Sequence, residues 1–251
     1  MKIQCYMPVL NEADILPWSL FAMVSQGIQV HCIDGWSMDG SQELMSDSSW
    51  DDYRVTSEVF PEGGPSDQQV CRQILKRIED LAAASDADWI IYSDADEIRR
   101  PKRPGETLAD AIARLDARGY NAIDHDVFEF CPVDEGWDGT QNPERYFQFY
   151  TRSEIICRLP NQKIWKNVGR VHLAGGGHTV EFPGKRLAPE KFDLKHYGYR
   201  SSAHGRRKVA TRLERRCHEE HKDGWGVHYN AVKDQQVFVR DAGRLQRWPT
   251  A

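Results

Sequence analysis

Long apolar runs are missing from this sequence. No stretch approaches the ~18 apolar residues that a membrane-spanning helix needs, so we expect no transmembrane segment. The first residues read at once as a strand and contain no long apolar segment of the kind found in signal peptides. We therefore expect no secretory signal.

Cysteine is scarce and scattered. The six cysteines form no Cys-x-x-Cys pair, and several lie in apolar, strand-like segments. This pattern favours reduced core thiols and argues against both a disulfide framework and a zinc site. With the missing membrane signals, it predicts a cytoplasmic protein, either free or peripheral at the inner face of a membrane. The cysteines are Cys5, Cys32, Cys71, Cys131, Cys157 and Cys217.

The charge is small but unevenly distributed. The 251 residues carry a net charge of −5 and are 40% hydrophobic, which suits one compact domain over 1–251. Residues 1–98 hold 18 acidic and 5 basic side chains, whereas residues 99–251 hold 20 acidic and 28 basic ones. We expect the basic half to bind an anion. The alternative is that the two halves only form solvent-exposed surfaces of opposite charge.

Apolar strands and amphipathic helices alternate through the first half of the chain. Helix 66–85 opens with a capping box, Ser66 and Gln69, and a glycine follows each of the other two long helices. Strand–helix alternation with short loops predicts an α/β sheet wound by helices. The predicted strands cover 2–10, 28–34, 53–60, a segment from Trp89, and 120–130; the helices cover 11–27, 66–85 and 107–119, with a short one capped by Ser41. Beyond about residue 131 the pattern loosens into loops, and a basic helix is predicted after residue 200.

Three acidic residues follow the buried segment that begins at Trp89. Alternate residues of a strand point the same way, so Asp94 and Asp96 place two carboxylates on one edge. Hard divalent cations commonly bind through one or two carboxylates together with substrate phosphates. An EF-hand calcium loop is excluded, because Arg99 and Gly105 stand where it needs glycine and glutamate. Exposed loop acids, or a phosphatase with Asp94 as nucleophile, are the alternatives.

Polar residues follow other predicted strands as well. Asn11 and Glu12 follow the first strand, and Asp34 ends the second. Ligands of open α/β sheets bind beyond the carboxyl ends of the strands. The sequence therefore predicts a ligand site where the loops after these strands and the Asp94 segment converge.

Four segments of the first half are, in order, "MPVLNEADILPWSL", "DGWSMDGS", "CRQIL" and "YSDADEI". Together they resemble the motifs of family 2 glycosyltransferases. "MPVLNEADILPWSL" is similar to the family's Pro-x-x-Asn-Glu turn, and "DGWSMDGS" is similar to its Asp-x-x-Ser-x-Asp-Gly-Ser loop. "CRQIL" is similar to its Arg-Asn helix segment, although Gln73 replaces the asparagine. "YSDADEI" is similar to its Asp-x-Asp strand.

The second half resembles a bacterial or phage-like branch of that family, through "GGGHTVEFPG" and "FDLKHYGYRSSAHGRRK". The resemblance implies a GT-A fold, which is a Rossmann-like mixed sheet flanked by helices, here with a basic helical C-terminal part. It implies transfer of a sugar from a nucleotide-diphosphate donor to an acceptor hydroxyl, usually with Mn²⁺ or Mg²⁺. A glycan or lipid-linked sugar is the expected acceptor, with a modified DNA base second.

The resemblance also implies roles for individual residues, with 1–98 binding the nucleotide and 99–251 the acceptor. The donor-binding candidates are Pro8, Asn11, Glu12, Asp34, Arg72, Asp94 and Asp96. The metal candidates are Asp94, Asp96 and His196, and the catalytic candidates are Asp134 as general base and His178. The phosphate or acceptor candidates are Lys166, Arg200, Arg206 and Lys208.

Plainer readings stand beside these roles. Asp34 could only shape its turn, Glu12 could be a first-turn helix acid, and His196 could be a packed core residue. No Glu-Asp pair opens a helix between 120 and 200, so retaining and inverting chemistry both stay open. A non-catalytic nucleotide-sugar or glycan-binding module with the same fold, and the phosphatase, are the rival functions.

Overall fold

The computed structural model describes residues 1–65, 71–214 and 237–249. The predicted capping box of Ser66 and Gln69, and Cys217, lie outside these residues.

Six strands form the main sheet, in the order β3-β2-β1-β4-β9-β6. Strands β1 to β4 run parallel, and β9 is antiparallel to both of its neighbours. The strands are β1 (Ile3–Val9), β2 (Gln29–Asp34), β3 (Val55–Val59), β4 (Trp89–Tyr92), β6 (Ala122–Ile123) and β9 (Ile164–Lys166). The carboxyl ends of β1, β2 and β4 therefore meet at one edge.

A second sheet has five strands in the order β13-β8-β7-β12-β5. They are β5 (Glu97–Arg100), β7 (His125–Phe130), β8 (Phe149–Thr151), β12 (Phe192–His196) and β13 (Gln246–Arg247). A separate hairpin joins β10 (His172–Ala174) to β11 (Thr179–Glu181). Because β5 follows β4 after four residues, the Asp94–Asp96 turn links the two sheets.

Helices cover both faces of the main sheet. Those that pack with residues of this sheet are α1 (Leu16–Val24), α2 (Ser41–Met45), α3 (Cys71–Ala84) and α4 (Leu108–Asp116). The other described helices are α5 (Pro143–Tyr146) and α6 (Ser202–Glu214). Single 3-10 turns span Ser48–Tyr53, Ile155–Arg158, Gly175–Gly177 and Ala242–Arg244. Leucines of α1 and α4 pack with one set of strand residues, and Leu75 and Ile78 of α3 pack with another. The predicted α/β class, a mixed sheet flanked by helices, is confirmed.

Two local predictions were wrong, and one strand was not predicted. Ser41 is the first residue of α2, not its N-cap, which is Gly40 with φ of 95°. The strand expected over 120–130 is divided into β6 and β7, because the buried Asp124 carboxylate accepts the backbone N–H groups of His125 and Asn161. No strand was predicted at Glu97–Arg100, where the charges of Glu97 and Arg99 compensate each other inside the protein.

Within the described ranges, no helix is both long and apolar enough to cross a bilayer. The five described cysteines are free thiols, as expected for core residues, and three of them are buried.

Candidate functional site

The loops after β1 and β2 are joined by the residues of the two N-terminal motifs. The Asn11 side-chain oxygen accepts the Met38 N–H at 2.8 Å, and Ser41 Oγ accepts the Glu12 N–H at 3.1 Å. Asn11 itself and Trp36 adopt positive φ angles of 54° and 66°, which are rare for residues other than glycine. The motif residues therefore fix both loops at the sheet edge.

Asp34 shapes its own turn. Both carboxylate oxygens lie 3.2 Å from the Ser37 N–H, and the residue is only 1% exposed. The turn-forming reading is thus realised, while contact with a nucleobase stays a prediction.

Asp94 lies at the surface of a buried ionic group. Its side chain is 40% exposed; one oxygen is 2.7 Å from Lys163 Nζ and the other accepts a hydrogen bond from the Tyr92 hydroxyl at 3.0 Å. Burial of the carboxyl acts to raise its pKa, but the Lys163 ammonium outweighs this and lowers the pKa of Asp94 to about 2. Asp94 is therefore held ionised by Lys163, the residue immediately before β9.

Glu97 points inward beside Asp94. It accepts from Arg99 at 2.7 Å and from Lys163 at 2.9 Å, and all three side chains are almost fully buried. This buried group fixes the strand that follows the Asp94–Asp96 turn.

Asp96 contacts two side chains from the C-terminal part of the chain. Its Oδ2 lies 2.6 Å from Lys208 Nζ on α6 and 3.6 Å from His196 Nε2 on β12. Burial acts to raise the pKa of Asp96, but Lys208 and His196 outweigh it and hold that pKa well below its usual range. Strand β12 pairs antiparallel with β5, and His196 lies opposite Glu97. This pairing brings His196 next to Asp96, 100 positions earlier in the chain.

The other nitrogen of the His196 ring contacts a carboxylate. His196 Nδ1 is hydrogen-bonded to Glu129 Oε2 on β7, which runs parallel to β12 with these two residues in register. Burial acts to lower the pKa of His196, but Glu129 and Asp96 raise it well above its ordinary value. The imidazole thus bridges two carboxylates.

Arg200 joins the loop after β1 to the start of α6. Its guanidinium is fully buried and reaches Glu12 at 2.5 Å and Asp14 at 2.7 Å. His204 Nε2 lies 2.7 Å from the same guanidinium nitrogen, and burial together with Arg200 lowers the pKa of His204 to about 2. Lys208 adds a second link, 3.1 Å from Glu12.

Of the three predicted metal ligands, Asp96 and His196 lie close together, and Asp94 does not join them. Nowhere in the described parts of the chain do three His, Cys, Asp or Glu side chains converge on one point. Asp94 faces Lys163 and Tyr92, whereas Asp96 and His196 face each other. One carboxylate and one imidazole nitrogen at 3.6 Å fit a divalent cation that takes its remaining ligands from phosphate and water. Lys208 would share the Asp96 carboxylate with that cation or withdraw.

The glycine-rich turn places His178 behind Asp94. A Cβ at Gly177 would lie 2.5 Å from the Tyr92 ring and 2.7 Å from Leu75, so only glycine allows this approach. His178 Nδ1 is buried without a hydrogen-bond partner. Burial, reinforced by Lys163, lowers the pKa of His178 to about 4, so the ring is neutral near pH 7.

The other predicted residues occupy different positions in the fold. Lys166 pairs with Asp116 at 2.6 Å and lies opposite Trp89, at the amino end of β4 rather than beside Asp94. Asp134 is exposed and accepts from the Tyr146 hydroxyl and the Gly136 N–H. Pro8 lies within β1, opposite Ile33. The side chains of Arg72 and Arg206 are on exposed positions of α3 and α6.

Sequence reasoning missed three of the residues that build the site: Glu129, Lys163 and Asp14. Glu129 had a readable signal, since it is an acid between two phenylalanines in an apolar strand. Lys163 had none, because only the pairing of β9 with β4 shows which of Lys163 and Lys166 lies at the carboxyl edge.

No family model matches the chain, and no curated protein matches it. Among solved structures, it is similar to the mannosyltransferase PcManGT from Pyrobaculum calidifontis in complex with GDP-Man and Mn²⁺. The TM-score is 0.44 and the identity 14%, over 85% of this chain and 62% of that one. This chain thus spans less than two thirds of that protein's length.

Proposed function

We propose that this chain is a glycosyltransferase that moves a sugar from a nucleotide-diphosphate donor to an acceptor hydroxyl. The observation that carries the proposal is the meeting of Asp96 with His196 at the carboxyl edge of the parallel strands. That edge is where open α/β sheets bind their ligands. The motif loops at Asn11 and Asp34 lie at the same edge, where they would take the nucleoside.

In this proposal, Asp96 and His196 hold Mn²⁺ or Mg²⁺ and the donor diphosphate completes the coordination. The cation would neutralise charge on the leaving diphosphate. Asp94, held ionised by Lys163, would accept hydrogen bonds from the ribose. Arg72, Arg206 and Lys208 are the cationic side chains offered to phosphate or to an anionic acceptor.

The buried Arg200 would support the site instead of binding phosphate directly, because its guanidinium is committed to Glu12 and Asp14. Asp134 as general base and a role for His178 stay part of the proposal. So do a glycan or lipid-linked acceptor, with a modified DNA base second, and a cytoplasmic location.

Thermal unfolding with a panel of nucleoside diphosphates, with and without Mn²⁺, tests the donor site. Ligands that bind only the native state raise the apparent melting temperature, so we expect a Mn²⁺-dependent rise with one nucleotide. Asp96→Asn should abolish that rise. Asp116→Asn, which removes an acid at the opposite end of the sheet, is the matched control and should retain it.

Turnover then separates the rival functions. Release of nucleoside diphosphate from a nucleotide sugar supports the transferase, whereas binding without turnover under every acceptor tried indicates a non-catalytic module. Hydrolysis of simple phosphomonoesters through a covalent phosphate on Asp94 would identify a phosphatase. Absence of any nucleotide-dependent rise in melting temperature would end the transferase proposal.

A further inference from the structure

We infer that Glu129 is a positioning residue that fixes the His196 ring so that Nε2 is presented to a divalent cation beside Asp96. The inference rests on the cation site proposed above and assigns a role to a residue outside every motif of the sequence. It concerns how that site is built.

The strand register sets the arrangement. Glu129 on β7 and His196 on β12 are direct partners in a parallel pair, and Glu129 Oε2 contacts His196 Nδ1. The opposite ring nitrogen, Nε2, lies 3.6 Å from Asp96 Oδ2. The three side chains thus stand in a line from a buried strand to the sheet edge, with the imidazole in the middle.

The hydrogen bond to Glu129 fixes which nitrogen of the His196 ring carries a proton. An ionised carboxylate can only accept, so its contact with Glu129 requires the proton on His196 Nδ1. A divalent cation beside Asp96 would displace the Nε2 proton, and with Nδ1–H still donating to Glu129 the ring would then present its Nε2 lone pair to that cation. Histidines that bind metals usually donate their other ring N–H to such an acceptor, which fixes the tautomer and ring orientation.

The surroundings leave room for this pair and little else. Glu129 is 6% exposed between Phe128 and Phe130, where an unpaired carboxylate would be costly. A Cβ at Gly198 would lie 2.8 Å from the His196 ring and 2.9 Å from Glu129 Oε1. Glycine at this position therefore admits both side chains at once.

A purely structural ion pair is the competing explanation, and Mn²⁺ affinity distinguishes the two. Electron paramagnetic resonance of free Mn²⁺ measures binding to the full chain, with and without the nucleoside diphosphate chosen by the thermal panel. We expect Glu129→Ala to weaken Mn²⁺ binding about 10- to 100-fold. Glu129→Gln, whose side-chain oxygen can still accept from Nδ1–H, should recover part of the loss.

Glu144→Gln is the matched control, because Glu144 is a partly buried acid that pairs with Lys195 of β12 and Arg100 of β5. It should lower thermal stability while leaving Mn²⁺ affinity unchanged. If native Mn²⁺ affinity persists in both Glu129 variants, or falls equally in Glu144→Gln, the positioning role is overturned although the cation site stands. If the unaltered chain binds no Mn²⁺ with any nucleotide, the cation site fails, and this inference fails with it.

Discussion

At the scale of single residues, glycines decide how closely the second half approaches the Asp94 turn. Gly177 has φ of 89° and lies against the Tyr92 ring, whose hydroxyl donates to Asp94. Any side chain at this position would push Tyr92 away and with it one hydrogen bond of Asp94. The turn thus links the conformation of a loop to the orientation of a candidate site carboxylate.

Gly177→Ala should lower the free energy of unfolding by about 2–5 kcal/mol, from a steric clash and a left-handed backbone together. Gly176→Ala is the control, because Gly176 also has positive φ, but no neighbouring atom lies closer than 4.0 Å to the position that a Cβ would take there. It should cost only about 1–2 kcal/mol. Urea denaturation of the two variants checks the difference; equal losses would show that the Tyr92 contact is not tight.

At the scale of elements, α6 is attached to the loop after β1 by charge. Arg200 just before the helix and Lys208 within it both reach Glu12, and Lys208 also reaches Asp96. Lys208 contacts segments 196 and 112 residues earlier in the chain, so α6 cannot shift without disturbing the Asp96 carboxylate. The position of α6 and the state of the candidate cation site are therefore coupled.

Arg200→Met should destabilise the protein by about 3–5 kcal/mol, because it removes a fully buried guanidinium and leaves the buried Glu12 and half-buried Asp14 carboxylates without their common partner. Arg206→Met on the exposed side of α6 should stay within about 0.5 kcal/mol of the unaltered chain. Chemical denaturation measures both. A loss below about 1 kcal/mol for Arg200→Met would mean that Lys208 alone can neutralise this group.

The elements also show what a sequence can and cannot predict. Strands β1, β2 and β4 were predictable because each is a short apolar run bounded by polar turns, and α4 was predictable from its cap at Thr107. The meeting of His196 with Asp96 was expected only through family resemblance. Glu129 and Lys163 depend on which residues of distant strands stand opposite each other, and register is set by non-local packing that no local pattern records.

At the scale of the whole molecule, the acidic first half depends on cations from the second. Asp94 and Glu97 share Lys163, Asp96 contacts Lys208, and Arg200 serves Glu12. The uneven charge of the sequence thus partly reflects ion pairs between acids of the first half and basic residues of the second. It is not simply the charge of two solvated faces.

A fragment of residues 1–105 should therefore lack a cooperative unfolding transition. It retains the carboxylates but loses Lys163, Arg200 and Lys208, and it loses β9, which covers the open edge of β4. Circular dichroism against urea compares it with the full chain, for which we expect one cooperative transition. A sharp transition in the fragment would show that the first half is an independent folding unit.

The late position of Lys208 has a consequence for the order of events during synthesis. The ribosome makes Asp96 roughly 110 residues before Lys208, a delay of about 6–20 s at about 5–20 residues per second. Early in that interval the nascent chain carries β1 to β4 and an excess of acidic side chains. Lys163 and Arg200 are made partway through it, and Lys208, the lysine partner of Asp96, only at its end. Ions or cationic molecules of the surroundings can serve as counter-charges of Asp96 until α6 emerges, so the rate of translation itself sets how long the incomplete site is open to them.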